Sequence, residues 1–164
     1  MDENPGRDGR RSFVGLAVFA VLVACAAVVG GSASQRAGEV YAGLEQPVWA
    51  PPAWVFGPVW LCLYVLIAVA GWLVWRAAGW RGATTALSLF LVQLILNAGW
   101  TPLFFAAEWR GVALVDIVLL LAAITVLVPL FARHSRLAAS LLLPYWVWVA
   151  FATALNLSIW RLNM

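Results

Sequence analysis

Three stretches of this 164-residue chain repeat aromatic and amide side chains at helical spacing. Residues three or four positions apart lie on one face of an α-helix, so each stretch forms a stripe. The stripes are Phe56, Trp60 and Tyr64; then Gln93, Asn97, Trp100 and Phe104; then Tyr145, Trp148, Ala152 and Asn156. Together they describe a pocket with aromatic walls and a few polar groups, which suits a flat, largely apolar ligand.

The same stripes also have a purely structural interpretation. Gln93, Asn97 and Asn156 would then hydrogen-bond from helix to helix, as amides do inside membrane proteins. A single stripe favours that interpretation, whereas three stripes of similar chemistry favour the pocket.

The segment 46–54 combines three prolines with two tryptophans. Proline fixes its own φ and restricts the residue before it, so we expect this segment to be extended and stiff. It is either a rigid connector or a lid whose Trp49 caps the pocket.

The composition determines which elements position these residues. Hydrophobic residues make up 65% of the chain and charged residues 10%, and the mean hydropathy is +0.93. Too few polar groups remain to coat a water-soluble protein, and a net charge of +3 does not suggest a nucleic-acid partner. The composition predicts an all-α integral membrane protein whose solvent is the lipid bilayer.

Five apolar runs reach the length of about 20 residues that a membrane-spanning helix requires. They cover residues 12–31, 55–75, 84–107, 111–131 and 137–159. Residues 1–11 are predicted to be a disordered polar tail, residues 12–164 one five-helix domain, and residues 32–54 the lid loop. A cleaved signal peptide is the alternative interpretation of the first run. The run is longer than the apolar core of a typical signal peptide, so a membrane-spanning helix is favoured. Short later connections predict that successive helices are antiparallel neighbours.

The arginines predict the orientation. Seven of the ten lie on the amino-terminal side of the bundle and three on the other. Positive residues accumulate in the cytoplasm, so we expect a cytoplasmic amino terminus and an outward first loop.

Longer ordered motifs resemble a known family. They are Pro47, Trp49, Pro51, Pro52, Val55, Phe56, Trp60, Leu63 and Tyr64; Asn97, Trp100, Thr101, Pro102, Phe104 and Phe105; residues 113–116; and Pro144, Tyr145, Trp148, Ala150, Leu155, Asn156, Trp160, Arg161 and Asn163. These motifs resemble the tryptophan-rich sensory protein and translocator protein family (TspO/MBR), which includes the peripheral benzodiazepine receptor.

The resemblance implies a homodimer of five-helix bundles that binds porphyrins such as protoporphyrin IX or haem beneath the first loop, and sterols in some members. The tetrapyrrole is a ligand, and no cofactor is required. With the stripes and the lid, the predicted ligand-binding residues are Trp49, Phe56, Trp60, Tyr64, Asn97, Trp100, Phe104, Tyr145, Trp148, Ala152 and Leu155. Trp60 and Trp148 are expected to stack on the ligand, and Asn97 and Tyr64 to hydrogen-bond to it.

The predicted function is a membrane receptor or sensor that modulates tetrapyrrole handling or a stress response. One alternative is a light-dependent porphyrin-degrading enzyme that uses Trp60 and Trp148, as the resemblance suggests, and another is a transporter of tetrapyrroles or sterols. The sequence has no hydrolytic triad, paired carboxylates or metal cluster, so no catalytic residue or metal site is predicted from the residues. Asp116 is interpreted as structural, and Gly82, Ala83 and Ala86 as a weak signal for close approach of two protomers.

Overall fold

The computed structural model describes residues 5–33 and 36–164, with the side chains of residues 12–32 and 36–164. Residues 1–4, 34 and 35 lie outside the described residues. The described residues form seven α-helices and no strand. The helices are α1 (Pro5–Ala33), α2 (Ala37–Ala42), α3 (Phe56–Gly82), α4 (Thr84–Thr101), α5 (Arg110–Ala132), α6 (Arg136–Leu141) and α7 (Leu143–Leu162).

Five segments of the described residues are long and apolar enough to cross a membrane, which confirms the predicted all-α membrane bundle. They are Ser12–Ser32, Ala53–Gly82, Thr84–Ala106, Arg110–Ala132 and Arg136–Leu162. The amino-terminal end differs from the expectation, because α1 begins at Pro5 and residues 5–11 of the predicted disordered tail are helical. Proline is favourable at a first helical position, where its φ is already suitable and its missing N–H costs nothing. The cytoplasmic amino terminus stays a prediction.

The first loop is more structured than an extended connector. It contains α2, a turn in which the Ala50 amide donates to the Pro47 carbonyl at 2.9 Å, and a 3₁₀ turn at Ala53–Val55. Its backbone is extended at Pro52, where φ is −64° and ψ is 147°. The first loop therefore combines the stiffness expected from its prolines with a short helix and two turns.

The helices form a closed ring in which α1 packs against both α3 and α4. From α4 the ring continues to α5, then to α6 and α7, and α6 returns to α3. The expectation that successive helices are neighbours is confirmed for α4 with α5 and for α5 with α6, whereas α3 and α4 contact each other less than each contacts α1. The inserted α1 therefore forms one wall of any space between α3 and α4.

Three of the spanning segments are interrupted. The second runs past its predicted end to Gly82 and kinks at Gly79, whose φ of 65° is readily adopted by glycine. The third ends in a π-helical turn, Pro102–Ala106, and the fifth is split at Leu142, two residues before Pro144. Each proline lacks the N–H that would continue the hydrogen-bond ladder, which accounts for the last two interruptions.

Two residues of the predicted protomer contact are inside the bundle. Ala83 is 3% exposed and Ala86 is 2% exposed, so these side chains pack within one chain. The small residues at the start of α4 therefore allow its close approach to neighbouring helices of the same chain, and the homodimer stays a prediction.

The middle of the bundle depends on close packing around Gly71 of α3. A Cβ at this position would lie 2.7 Å from the Phe19 ring of α1 and 2.8 Å from the Phe90 ring of α4. Both rings are buried, with their centroids 5.6 Å apart. The absence of a side chain at Gly71 therefore lets three helices meet at one level.

We predict that Gly71→Ala destabilises the protein. The free-energy cost of overpacking, about 1–3 kcal/mol, exceeds the gain of about 0.5–1 kcal/mol from replacing glycine by alanine in a helix. Thermal unfolding in detergent, followed by circular dichroism, measures the effect. Gly57→Ala on the same helix is the control, since a Cβ there meets nothing within 4 Å. An unchanged melting temperature for Gly71→Ala would contradict the packing argument.

Candidate ligand cavity

A partly open cavity of about 370 Å³ lies where α1, α2, α3 and the end of α4 meet. Its lining combines aromatic rings with small residues: Ala27, Gly30, Gly31, Ala37, Gly38, Tyr41, Ala53, Phe56, Gly57, Trp60, Tyr64, Trp100, Thr101 and Phe105. No charged side chain is among these lining residues. The space is within the usual size range of small-molecule sites and suits an apolar ligand.

The α3 stripe faces this cavity as helical spacing predicts. Phe56, Trp60 and Tyr64 all line it, and the rings of Trp60 and Tyr64 stack with centroids 5.4 Å apart. Trp100 and Phe105 line it from the end of the third spanning segment, with centroids 5.9 Å apart. Aromatic rings from two helices thus border one space.

Behind the Tyr64 wall, four polar side chains form a continuous hydrogen-bonded chain, the Gln93 relay. The Tyr64 hydroxyl donates to Asn97 Oδ1 at 3.2 Å, Asn97 Nδ2 donates to Tyr145 Oη at 3.0 Å, and the Tyr145 hydroxyl donates to Gln93 Oε1 at 2.9 Å. Asn97 is 4% exposed, and Gln93 and Tyr145 are 0% exposed. The relay joins α3, α4 and α7 and supports the cavity wall from behind.

A second set of hydrogen bonds holds Trp100 in place. Its indole Nε1 donates to Asn156 Oδ1 at 3.0 Å, and Asn156 Nδ2 donates to the Arg110 carbonyl at 3.1 Å. Because an indole N–H inside the bilayer needs a protein partner, Asn156 satisfies a buried donor and fixes the ring plane.

The TspO/MBR family profile matches residues 17–161. The chain belongs to the TspO/MBR family. It is 45% identical to the human "Translocator protein" over 125 residues, which cover 75% of this chain and 74% of the relative.

Two microbial relatives match over more of the chain than the human protein does. The "Tryptophan-rich protein TspO" of Archaeoglobus fulgidus is 38% identical over 148 residues, covering 89% of this chain and 95% of the relative. The "Tryptophan-rich sensory protein" of Cereibacter sphaeroides is 34% identical over 142 residues, covering 87% and 88%. The resemblance inferred from the tryptophan and proline motifs is thereby confirmed.

In this TspO/MBR protein four of the predicted ligand-binding residues line the main cavity: Phe56, Trp60, Tyr64 and Trp100. Phe104, Ala152 and Leu155 border a much smaller cavity next to it, which Phe56 and Trp100 also line. Asn97 and Tyr145 lie behind Tyr64 in the Gln93 relay, bonded to other side chains rather than lining either cavity.

Trp49 and Trp148 differ from the expectation, because neither is among the described residues that line these two cavities. Trp49 is 47% exposed and meets the Phe151 ring edge-on at 5.7 Å instead of capping the mouth. Trp148 lines a groove of about 910 Å³ on the outer surface between α3 and α7. The α7 stripe points Tyr145 and Asn156 inward, and Trp148 lies at its outer edge.

The sequence reasoning missed other lining residues of the TspO/MBR cavity. Thr101 and Phe105 follow Asn97 at successive spacings of four, a signal that was present. Ala27, Gly30 and Gly31 of α1 give no chemical signal in the sequence, because their side chains are a methyl group or a hydrogen atom. Tyr41 was missed because the loop before Gln46 contains no comparable pattern.

The mouth of the cavity in this family member is held by the first loop. Tyr41 is 4% exposed, and its hydroxyl donates to the Pro51 carbonyl at 3.0 Å. Burial raises the pKa of Tyr41, so the hydroxyl stays protonated and able to donate at neutral pH. Gln46 Nε2 donates to the Tyr41 carbonyl, which ties the two halves of the loop together.

The loop is also anchored to the carboxyl-terminal end of α7. The Glu45 amide donates to Asn163 Oδ1 at 3.0 Å, and Asn163 Nδ2 donates to the Glu45 carbonyl at 2.9 Å. One side chain therefore satisfies both backbone groups of one loop residue.

We predict that Asn163→Ala raises the hydrogen-exchange rate of the Glu45 amide about two- to tenfold, as expected for loss of one net hydrogen bond. Hydrogen-exchange mass spectrometry of peptides covering residues 37–55 measures the change. Asn163→Asp keeps an acceptor for that amide and is the control that retains protection. Equal protection in wild type and Asn163→Ala would show that the loop is held by other contacts.

Proposed function

We propose that this TspO/MBR protein is a membrane receptor or sensor that binds a tetrapyrrole, such as protoporphyrin IX or haem, in the cavity beneath the first loop. Binding would modulate tetrapyrrole handling or a stress response. The observation that carries the proposal is the cavity lined by Phe56, Trp60, Tyr64, Trp100 and Phe105. The "sensory" and "translocator" names of the relatives are consistent with a binding role in a membrane.

The chemistry of the lining matches a tetrapyrrole macrocycle. This ligand is a wide planar π-surface, and indole, phenol and phenyl rings form offset-stacked and edge-to-face contacts with such surfaces. Trp60 and Tyr64 present stacked rings on α3, and the small residues of α1 leave room beside them. An apolar macrocycle would therefore gain contact area with both the rings and the small residues.

The carboxylates of the tetrapyrrole need a different environment from its apolar macrocycle. Because none of the described residues that line the cavity is charged, carboxylates beside them would have no counter-charge and would lose hydration. Ala37 and Gly38 of α2 line the cavity and Gly38 is exposed, so carboxylates at a mouth on this side would stay in contact with water. We therefore expect the macrocycle to enter first, with its acidic edge at the mouth.

The test is a titration of the purified protein with protoporphyrin IX in the dark, followed by tryptophan quenching and porphyrin absorbance. We predict that Ala27→Phe weakens binding by about fivefold or more, because a phenyl ring fills a pocket in which lost complementarity costs on the order of 1–3 kcal/mol. Ala24→Phe is the matched control on the same helix, since Ala24 is exposed and does not line the cavity. Unaltered binding by Ala27→Phe would place the ligand elsewhere.

A second candidate function, light-dependent porphyrin degradation, is favoured by one observation. Trp60 lines the cavity, so its indole would contact a bound porphyrin, whereas Trp148 lies in the outer groove. Repeating the titration under illumination separates the two functions. A receptor returns the porphyrin unchanged, and an enzyme yields a new pigment whose formation depends on Trp60 and is lost in Trp60→Phe.

A further inference from the structure

The outer groove between α3 and α7 lies outside the cavity on which the proposed function rests. Its volume is about 910 Å³, and its walls are formed by residues between positions 58 and 66 of α3 and between positions 140 and 151 of α6 and α7. None of its described lining residues is charged, and most of them carry pure hydrocarbon side chains. On the lipid-facing surface of a membrane protein, a groove of this composition suits an apolar chain.

One end of the outer groove leads to a cationic side chain. The groove residues Ser140, Leu143, Val147 and Phe151 follow one another at helical spacings of three or four. Arg136 precedes Ser140 by four positions within α6, and both residues are exposed. Arg136 therefore continues the line of groove residues, and the groove combines a long apolar surface with one positively charged end.

The Arg136 guanidinium has no carboxylate partner among the described side chains. The ion pairs of the described residues, Arg36 with Glu39 and Arg110 with Glu108, are both at the opposite end of the bundle. All described carboxylates belong to the first loop, to the loop before α5 or to the first third of α5, which begins at that opposite end: Glu39, Glu45, Glu108 and Asp116. An anion from outside the chain would therefore be the counter-ion of Arg136.

We propose that the outer groove binds an anionic phospholipid of the surrounding bilayer, with one acyl chain in the groove and the phosphate against Arg136. The turn before Arg136 joins two spanning segments, which places Arg136 at the membrane surface, among the headgroups. From Ser140 to Phe151 the helical rise is about 16 Å, and one leaflet of the hydrocarbon core is about 15 Å thick. The groove is thus long enough for most of one acyl chain. This site is independent of the tetrapyrrole cavity.

Charge favours a phospholipid over a second copy of the chain. Two copies in one membrane share one orientation, so a two-fold dimer across this groove would bring Arg133 and Arg136 of both copies to the same surface. No described carboxylate lies at that end to offset the repulsion. A sterol would fill the groove and leave Arg136 without a counter-ion. A phosphate supplies the missing charge, because guanidinium donates two parallel hydrogen bonds to phosphate oxygens.

Native mass spectrometry of the protein, purified in detergent and freed of lipid, measures the affinity for the first added lipid. The probes are phosphatidylglycerol and phosphatidylcholine with identical acyl chains, so that only the headgroup differs. We expect wild type to prefer phosphatidylglycerol by at least about fivefold, the effect of one arginine near an anionic lipid. Arg136→Gln lowers this preference by about fivefold, and Arg136→Lys, which keeps the charge, retains most of it.

The matched control for the charge is Arg81→Gln. Arg81 is also exposed at this end of the bundle, and it lies beyond the kink at Gly79, away from the groove. We expect the preference for phosphatidylglycerol to be unchanged in this variant. Equal losses in Arg136→Gln and Arg81→Gln would show general attraction to a positive surface and overturn the proposed site.

A second pair of variants tests the place of the acyl chain. Val147→Trp puts an indole into the groove and weakens binding of both lipids by about fivefold or more, because the ring and the chain compete for one space. Val126→Trp on α5 is the control, since Val126 and Val147 are 54% and 59% exposed and Val126 is not among the described lining residues. If Val147→Trp lowers the melting temperature, Leu143→Trp, at another exposed groove position, replaces it.

Other occupants give different results in the same measurements. Displacement of the lipid by an equal concentration of glycerol 3-phosphate would assign Arg136 to a soluble phosphate and overturn the lipid site. A protein dimer that Val147→Trp dissociates, with no preference between the two lipids, would assign the groove to a second copy. Equal lipid binding by Val147→Trp and Val126→Trp would place the chain outside the groove. Failure of protoporphyrin IX to bind would instead remove the tetrapyrrole receptor and leave this result intact.

Discussion

The amide of Asn97 joins three of the membrane-spanning helices. Its oxygen accepts from Tyr64 of α3, and its nitrogen donates to Tyr145 of α7. In a bilayer these groups have no water to bond to, so an amide buried to 4% exposure is stable only where protein partners surround it. This requirement sets the height of α3, α4 and α7 relative to one another, and it places the Tyr64 ring at the cavity.

The third spanning segment combines this anchor with a change of helical phase. Its α-helical part ends at Thr101, and the π turn that follows lets the Ala107 amide donate to the Pro102 carbonyl at 2.9 Å. The extra residue in the turn changes which side chains face inward. Phe105 lines the main cavity and also the smaller one, while Phe104 is buried and lines only the smaller one. π turns often occur at functional sites, and here two adjacent rings of the turn both border the space between the helices.

Helical spacing in the sequence predicted much of this arrangement. The five spans follow from apolar length, and the inward face of α3 follows from the spacing of Phe56, Trp60 and Tyr64. Spacing assigns a face to each helix and does not say which helix lies opposite. The insertion of α1 between α3 and α4 was therefore not predictable, and neither were its small lining residues Ala27 and Gly30.

The misplacement of Trp148 has the same origin. A stripe drawn through Tyr145, Trp148 and Ala152 is wider than the face that α7 buries, and Trp148 lies at its margin. The break at Leu142, two residues before Pro144, separates α6 from α7. As a result α6 packs closely on α3, while an open groove remains between α3 and the start of α7. Sequence identifies the proline as an interruption, but the resulting change of direction depends on packing against α3 and α5.

That groove gives Trp148 a role at the boundary of the cavity. Its ring contacts Phe56 at a centroid distance of 5.8 Å, and Phe56 lines the cavity on its other side. Phe151 continues the contact outward to Trp49 at 5.7 Å, so the loop, α7 and α3 share one row of rings. Aromatic side chains fill a wide gap with few rotatable bonds and carry most of their surface as apolar area. A row of this kind separates an apolar cavity from lipid where α3 and α7 do not pack closely, which explains why the stripe residues that miss the cavity are still aromatic.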